Sequence, residues 1–336
     1  MILTLVDKAT AEQIKEVEDK VKDLGFSPEV SRGKEKTLIL VKGEHAILSR
    51  EVFEAFEVVD LVTPISEPYK MVSRHWKDKT IIDVDGVKIG GKEIIFMAGP
   101  CSVENKENTM EIARVVKEQG AKLLRGGAFK PRTSPYSFQG LGEEGLKMLR
   151  EAAQETGLKI VTEAMDIIQV ELVEKYADII QVGARNMQNF ELLKACGRAS
   201  KPILLKRGFS NTIKEFLMSA EYIASEGNSD IILCERGIRT FSDFTRFTLD
   251  ISAVPVVKGI SNLPIIVDPS HPAGKRDLVE PLSLAAIAAG ADGLIVEVHD
   301  NPQKAASDGA QTINPRQFRA IVEKAGKIAE ILGREV

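Results

Sequence analysis

Several features that mark specialised classes of protein are rare or missing in this chain of 336 residues. Its three cysteines, Cys101, Cys196 and Cys234, are too few for a disulfide framework, and an odd number cannot all pair. This sparse set fits a reducing compartment. No apolar stretch approaches the ~20 residues that span a bilayer, and the N-terminal segment becomes charged at Asp7, too soon for a signal peptide. We therefore expect a cytoplasmic protein with no membrane partner.

The sequence also lacks a large excess of positive or negative charge. The formal net charge is −4, and the basic residues are scattered rather than gathered in the stripe that a general nucleic-acid surface needs. The sequence therefore excludes nucleic acid as a partner and predicts that any anion binds locally. It contains no long repeat and no low-complexity tract, so the repetition that remains is an alternation of strand and helix patterns.

Eight short apolar runs follow one another after Lys79, and nearly every run ends in charged or reactive residues. The runs are residues 94–97, 122–124, 159–161, 179–182, 203–205, 231–233, 265–267 and 294–296. Continuous apolar runs suit strands covered on both faces, and intervening helices favour a parallel sheet. Eight units favour closure into a (β/α)8 TIM barrel. An open doubly wound sheet is the alternative, but no glycine-rich dinucleotide fingerprint follows the first strand.

Helical patterns lie between these runs. They predict helices at residues 106–118, 143–155, 167–175, 190–196, 212–225, 282–289 and 315–332. Residues 244–258 are ambiguous, because Pro255 would interrupt a helix there.

The first sixty-odd residues have a different pattern. They predict strands at residues 2–6, around 30, at 38–41 and at 58–62, with one helix between Thr10 and Gly25 and another at about 49–56. The order βαββαβ is that of a small α+β ferredoxin-like domain. Since the chain is longer than the ~250 residues of one barrel, we predict this domain at 1–66, a linker at 67–80 and the barrel at 81–336.

Barrel closure places the eighth strand beside the first and the seventh. Four residues at these strand ends or in the next loop would then converge: Cys101, His271, Glu297 and Asp308. Singly, such a cysteine is more often a packing residue and such a histidine is merely hydrogen-bonded. Together, a thiolate, an imidazole and two carboxylates can complete a divalent-metal site, and this mixture indicates Mn, Fe, Co, Cu or Zn. Cys196 and Cys234 are assigned to packing.

The opposite sector of the rim is cationic. It comprises Arg125, Lys130, Arg132, Arg185, Lys206, Arg207 and Arg236. Local cations in an acidic chain predict a ligand with several negative charges, since guanidinium forks match phosphate and carboxylate oxygens. Simple solvation is the alternative, above all for Arg207. Glu163 and Asp268 also end strands, where they could orient these cations, hold a metal-bound water or move protons.

One long motif points to a known family. It reads Gly-Gly-Ala-Phe-Lys-Pro-Arg-Thr-Ser-Pro-Tyr-Ser-Phe-Gln-Gly at residues 126–140. With segments 98–102, 181–186, 204–208 and 268–271, it resembles 3-deoxy-D-arabino-heptulosonate 7-phosphate (DAHP) synthase of the shorter, beta-like type I subgroup. The resemblance runs from about residue 94 to 332, and the N-terminal pattern resembles the regulatory ferredoxin-like domain of some members. It implies a metal-dependent, aldol-like condensation of phosphoenolpyruvate with D-erythrose 4-phosphate, the first step of the shikimate pathway.

The resemblance also implies roles for individual residues. The implied ligands of one divalent metal ion are Cys101, His271, Glu297 and Asp308. Residues matched to phosphoenolpyruvate contacts are Arg125, Lys130, Glu163, Ala184, Arg185, Lys206 and Arg236. Those matched to erythrose 4-phosphate contacts are Lys130, Arg132, Thr133, Ser134 and Asp268. The expected catalytic residues are Lys130, Cys101, His271, Glu163 and Asp268, whereas His299 is left without a ligand role. The family further implies a homotetramer and an aromatic amino acid effector at the N-terminal domain.

Three other functions compete with this one. The related 3-deoxy-D-manno-octulosonate 8-phosphate synthase uses arabinose 5-phosphate, but it has an Asn-Arg-Ser-type loop where this chain has residues 130–134. A Schiff-base aldolase would use Lys206 as its nucleophile. A non-catalytic sensor of phosphorylated metabolites would bind without releasing phosphate.

Overall fold

The computed structural model of the chain describes residues 1–7, 9–32, 36–43, 46–63, 68–130, 134 and 136–336, with only the backbone of residues 47 and 48. It contains two compact units, Met1–Lys70 and Met71–Val336. No helix within these described ranges is long and apolar enough to cross a membrane. The predicted limits at 66 and 80 stay predictions, because residues 64–67 lie outside the described residues.

The N-terminal unit has the predicted βαββαβ order. Its elements are β1 (Ile2–Leu5), α1 (Ala11–Asp23), β2 (Ser27–Arg32), β3 (Thr37–Lys42), a 3-10 turn (Ala46–Ser49), α2 (Arg50–Glu54) and β4 (Val59–Thr63). The strands form one antiparallel sheet in the order β2-β3-β1-β4. Helix α1 begins with a capping box between Thr10 and Gln13 and buries Ile14, Val17 and Val21 at helical spacing in the core of this unit.

The second unit is built around a closed barrel of eight parallel strands. A hairpin of β5 (Ile82–Val84) and β6 (Val87–Ile89) precedes it. The barrel strands are β7 (Ile95–Gly99), β8 (Leu123–Arg125), β9 (Lys159–Glu163), β10 (Ile179–Val182), β11 (Ile203–Lys206), β12 (Ile231–Glu235), β13 (Ile265–Val267) and β14 (Gly293–Glu297). Strand β14 pairs with both β13 and β7, so the predicted closure is confirmed.

Helices connect the barrel strands. They are α3 (Lys106–Glu118), α4 (Glu143–Thr156), α5 (Ile167–Tyr176), α6 (Phe190–Arg198), α7 (Ile213–Ser225), α8 (Ala253–Ile260), α9 (Ser270–Ala273), α10 (Arg276–Ala288) and α11 (Pro315–Ile331). Three differ from the predictions, and the short helix α9 is one that was not predicted. Pro255 lies in the first turn of α8, where a missing N–H is tolerated, so it does not prevent the helix. Helix α10 begins at Arg276 rather than 282 and accommodates Pro281 in its interior.

The barrel interior is filled by apolar side chains from the strands and from the hairpin. The shared cluster contains Ile82, Val84 and Ile89 of the hairpin together with Ile95, Met97, Leu123, Val161, Ile179, Leu204, Ile232, Cys234, Ile266 and Ile295. Asp85 in the hairpin turn pairs with Lys159 at the start of β9, at 3.0 Å. The hairpin, which the sequence analysis did not predict, therefore fills the end of the barrel at which the strands begin.

Candidate active site

The ionisable groups at the other end of the barrel are placed there by the alternation of side chains along each strand. Leu204 of β11 and Ile295 of β14 belong to the interior cluster, so Lys206 and Glu297, two residues later, also face inward. The same step of two residues places four more groups at this level: Arg125, Glu163, Arg236 and Asp268. A layer of charged side chains therefore lies directly next to the apolar side chains that fill the barrel interior.

Three of the four predicted metal ligands lie together. The donor atoms of Cys101, Glu297 and Asp308 are all within 4.8 Å of one another, and Cys101 Sγ is 3.3 Å from Asp308 Oδ2. His271 is not in that set, but its Nε2 lies 3.4 Å from Glu297 Oε1. The arrangement fits a divalent ion of the class predicted, because it combines a thiol, carboxylates and a neighbouring imidazole.

Neighbouring side chains orient these donors. His271 Nδ1 lies 2.6 Å from Asp268 Oδ2, which leaves Nε2 directed toward Glu297, as in carboxylate–histidine pairs at metal sites. Glu297 accepts from Arg125 Nη1 and from Gln311 Nε2, each at 2.9 Å. Asp308 has a φ of 52°, which is rare for a residue with a side chain and marks a backbone held in a strained conformation.

Burial and neighbouring charges shift the pKa values of these groups in opposite directions. Burial, with the nearby Glu297 carboxylate, raises the pKa of Cys101 to about 12. Burial opposes ionisation of Glu297, but the charges of His271 and Arg125 outweigh it and lower that pKa to about 2. Burial is likewise outweighed at Asp268, where His271 and Lys206 hold the pKa well below 3.8. The centre therefore combines two ionised carboxylates with a protonated thiol that ionises only at high pH or on a metal.

A cavity of about 330 Å³ opens beside this centre. Among the predicted residues, those that line it are Arg125, Lys130, Ser134, Glu163, Ala184, Arg185, Lys206, Arg236, His271 and Asp308. Arg132 and Thr133, predicted to contact erythrose 4-phosphate, lie outside the described residues. Asp308 of the donor set, His271 and five of the predicted cations therefore meet at one cavity, and the role of each residue stays a prediction.

Lys130 and Glu163 occupy different parts of that cavity. Lys130 Nζ is 3.0 Å from Cys101 Sγ and 2.9 Å from Cys101 O. It therefore links the donor set to the cationic wall of the cavity, which is formed by Arg125, Arg185, Lys206 and Arg236. Glu163 Oε2 accepts from Gln181 Nε2 at 3.1 Å. Its carboxylate lies so close to Gly183 that a Cβ there would be 2.1 Å from Oε1, so a larger residue at that position would displace the Glu163 side chain.

The cations differ in how far their charge is neutralised. Lys206 Nζ is 2.6 Å from Asp268 Oδ2, and Arg125 pairs with Glu297. Arg236 forms no ion pair with a described carboxylate, and its buried Nη1 has no hydrogen-bond partner. Arg236 is thus prepared to receive an anion, since a bound oxygen would satisfy a donor that is otherwise unpaired.

Arg207 does not belong to the cationic wall. It follows Lys206 directly and therefore faces away from the barrel interior. There it is buried, and its Nη1 contacts Glu235 Oε2 and Asp250 Oδ2, both at 2.8 Å. The Arg207–Glu235–Asp250 ion triad corrects both earlier readings, because Arg207 is neither a solvated surface residue nor part of the cavity.

Several cavity residues were not predicted. They are Ser137, Gln181, Gly183, Phe209, Arg246 and Phe247. Gln181 and Gly183 follow the inward alternation of β10 and could have been found from it. Arg246, whose Nη1 lies 3.3 Å from Asp308 Oδ1, comes from a loop without periodicity. His299 is buried and accepts from Asn301 N at 2.9 Å through Nδ1, and it is not part of the donor set.

Comparison with known families gives two matches, which between them cover nearly the whole chain. Residues 77–333 match the DAHP synthetase I family. Residues 1–67 match the DAHP synthase ferredoxin-like domain.

Individual relatives and solved structures agree with these matches. A phospho-2-dehydro-3-deoxyheptonate aldolase of Thermotoga maritima is 53% identical over the full length of both chains. A crystal structure of that enzyme type from the same organism superposes with a TM-score of 0.94 at 52% identity, covering 100% of this chain and 98% of the other. A 2-dehydro-3-deoxyphosphooctonate aldolase of Syntrophotalea carbinolica is 33% identical, covering 75% of this chain and 96% of its own.

Proposed function

Because the chain belongs to the DAHP synthetase I family, we propose that it condenses phosphoenolpyruvate with D-erythrose 4-phosphate. In this reaction C3 of phosphoenolpyruvate bonds to the aldehyde carbon, water adds at C2, and the bond from C2 to the phosphate oxygen breaks. The products are 3-deoxy-D-arabino-heptulosonate 7-phosphate and inorganic phosphate.

One observation carries the proposal: a cluster of side chains that could hold a metal ion adjoins a cavity lined by cations. An aldehyde needs an electrophilic partner for its oxygen, and an enol phosphate needs cations for its phosphate and carboxylate groups. The Cys101, Glu297 and Asp308 donors suit the first need. Lys206 and Arg236 on the cavity wall suit the second.

We infer that Cys101, His271, Glu297 and Asp308 hold one divalent metal ion of the Mn, Fe, Co, Cu or Zn class. When bound, the ion supplies Lewis acidity for polarising the aldehyde carbonyl. The residues around it hold its ligands in place: Asp268 fixes the His271 ring, while Arg125 and Gln311 fix the Glu297 carboxylate. Such supporting contacts reduce the reorganisation that binding requires.

The cationic wall would anchor phosphoenolpyruvate. Arg236 and Arg185 have guanidinium groups that can receive phosphate oxygens, and Lys206 and Arg125, which line the same cavity, can receive the carboxylate. Lys130, beside Cys101, lies where the two substrates would meet and can stabilise charge on either of them. Fixing both reactants in one cavity is the main contribution that these residues can make to rate.

Proton movement in the proposed reaction needs groups that touch the reacting atoms. Lys206 lines the cavity and donates to Asp268, so this pair can exchange a proton with a bound reactant, whereas the two ring nitrogens of His271 are committed to Asp268 and to the metal side. Glu163, which also lines the cavity and accepts from Gln181, would orient the water that adds at C2. Ser134 also faces the cavity and can bind the aldehyde substrate.

The test is an assay of phosphate release from phosphoenolpyruvate with either erythrose 4-phosphate or arabinose 5-phosphate. We expect turnover with the four-carbon sugar, its loss after chelation and its recovery with Mn²⁺. Preference for arabinose 5-phosphate would favour the octulosonate activity, whose relatives match only three quarters of this chain. Undiminished turnover in chelated protein would contradict the metal requirement, and binding without phosphate release would favour the sensor.

A Schiff-base mechanism at Lys206 is disfavoured by its surroundings. Lys206 Nζ is held 2.6 Å from the buried Asp268 carboxylate, so this nitrogen is engaged in an ion pair rather than free to attack a carbonyl. Borohydride should therefore trap no substrate on Lys206. Covalent labelling at that position would refute this part of the proposal.

We further propose that the N-terminal unit binds an aromatic amino acid that inhibits the barrel. Its match to the DAHP synthase ferredoxin-like domain supports this role. Removal of residues 1–64 should leave turnover insensitive to tyrosine and phenylalanine, whereas retained inhibition would place the effector elsewhere. A homotetramer in the cytoplasm belongs to the same proposal, and light scattering of the purified chain tests the assembly.

A further inference from the structure

Two aromatic rings at the cavity are surrounded by cations. Phe209 follows β11 and Phe247 lies in the loop after β12, and their rings stack with centroids 5.0 Å apart and planes 10° from parallel. Four guanidinium groups lie over these rings. Their distances to the nearer ring centroid are 4.4 Å for Arg236, 5.5 Å for Arg185, 5.7 Å for Arg239 and 5.9 Å for Arg246.

Arg236 makes the closest of these contacts and touches both rings, at 4.9 Å from the Phe209 centroid and 4.4 Å from the Phe247 centroid. The other buried cations of the layer are held by carboxylates, as Lys206 is by Asp268. A carboxylate cancels the charge that it holds, whereas an aromatic face attracts a cation without adding a negative charge. Arg236 is thereby fixed in position while its charge and its Nη1 donor stay available.

We propose that Phe209 and Phe247 are positioning residues that hold Arg236, whose Nη1 has no hydrogen-bond partner, as a receptor for the phosphate group of phosphoenolpyruvate. The inference rests on the proposed function, which supplies the anion, but the receptor geometry is independent of the chemistry. All three residues line the cavity. The rings therefore contribute to anion affinity by fixing the guanidinium before the ligand arrives.

Backbone contacts keep the two rings beside Arg236. Phe209 O accepts from Arg239 N at 2.7 Å, and Phe247 N donates to Pro272 O at 3.1 Å. Directly after Arg236, Gly237 has a φ of +93°, and a Cβ there would lie 2.9 Å from the Cβ of Phe247. Glycine at this turn thus lets the chain return closely enough for Phe247 to pack against the arginine that precedes the turn.

The experiment compares three single substitutions in the full-length, Mn²⁺-loaded protein. Phe247→Leu keeps an apolar side chain without the aromatic face, Phe247→Tyr keeps the face, and Phe241→Leu is the matched control in the same loop, where the side chain is fully exposed. Calorimetry should give a dissociation constant for phosphoenolpyruvate that is about tenfold weaker in Phe247→Leu. Phe247→Tyr and the control should match the unsubstituted protein.

Steady-state kinetics separate positioning from general damage. We expect the KM for phosphoenolpyruvate to rise in Phe247→Leu while kcat and the KM for erythrose 4-phosphate are retained. If Phe247→Leu does not fold, as judged by its thermal midpoint, Phe209→Leu replaces it. Unchanged affinity in a folded leucine variant, or equal losses in Phe247→Leu and Phe247→Tyr, would overturn the inference.

Inorganic phosphate is titrated in parallel as a simpler probe of the same receptor. An unsubstituted protein that binds phosphate but not phosphoenolpyruvate would contradict the proposed function, while the leucine variant would still report on Arg236 through phosphate. Weaker phosphate binding in that variant supports the positioning role, and equal binding contradicts it. Failure of the proposed function and failure of the positioning inference are therefore distinguishable.

Discussion

Replacing Arg207 by methionine would break the Arg207–Glu235–Asp250 ion triad outside the barrel interior. Arg207 donates to Glu235 and Asp250 and, through Nε, to Asn211 O at 2.9 Å. Glu235 is fully buried, so its carboxylate would keep only the Gly237 N–H, at 2.6 Å, as a described donor. Leaving a buried charge without its partner costs about 3–5 kcal/mol, and we expect that loss in the free energy of unfolding at neutral pH.

The loss should depend on pH. Burial raises the pKa of Glu235 above 4.5 even with Arg207 beside it, and removal of the guanidinium raises it further. A carboxyl group with a raised folded-state pKa stabilises the fold below its unfolded pKa and loses that contribution as pH rises through the folded pKa. The destabilisation in Arg207→Met should therefore be smallest below pH 4.5 and should grow toward neutrality.

Urea unfolding of the full chain at about pH 4.5 and about pH 7.5 measures both effects. The double variant Arg207→Met with Glu235→Gln removes the stranded charge and should recover part of the loss. Arg114→Met is the matched control, because its pair with Glu155 is exposed and screened by solvent, so its loss should change the free energy of unfolding little. A loss below about 1 kcal/mol in Arg207→Met at both pH values would refute the assigned role of the triad.

Three further predictions concern the candidate metal centre. Asp268→Asn removes the carboxylate that orients His271, so Mn²⁺ affinity measured by calorimetry should fall about 10- to 100-fold, and unchanged affinity would contradict that orientation. In chelated protein, Glu297 has its pKa lowered from 4.5 to about 2, so its contribution to stability is present above pH 4.5 and lost as pH falls toward 2. The difference in unfolding free energy between the wild type and Glu297→Gln should shrink over that interval, and a constant difference would exclude this linkage. Because the pKa of Cys101 is about 12, Mn²⁺ binding near neutral pH should release its proton, seen as binding heats that vary with buffer ionisation enthalpy. Cys101→Ser should lose that proton release, and an unchanged proton count would count against thiolate ligation.

The barrel and most of its charged layer were predictable because one periodicity governs both. A strand covered on both faces reads as a continuous apolar run, and the next inward position is where its interior becomes polar. This is why Lys206 and Glu297 could be assigned to the rim from the sequence. The same rule, applied residue by residue, would also have removed Arg207 from the cavity and added Gln181.

Features without periodicity were not predictable. The hairpin of β5 and β6 has strands of three residues each, too short for a pattern. Phe209 and Phe247 lie in loops whose backbone contacts, rather than a repeat, bring the rings together. Pro281 lies inside α10, where the fold overrides the local preference against proline.

The hairpin also affects how reactants enter the cavity and how products leave it. Ile82, Val84 and Ile89 close the end of the barrel where the strands begin. Within the described residues, the cavity is therefore open only at the end where the strands finish. Reactants and products would share one mouth, and a molecule seated at the bottom cannot be exchanged past one seated above it. If one reactant is seated below the other in such a cavity, the deeper reactant has to enter first, and the group left deepest departs last.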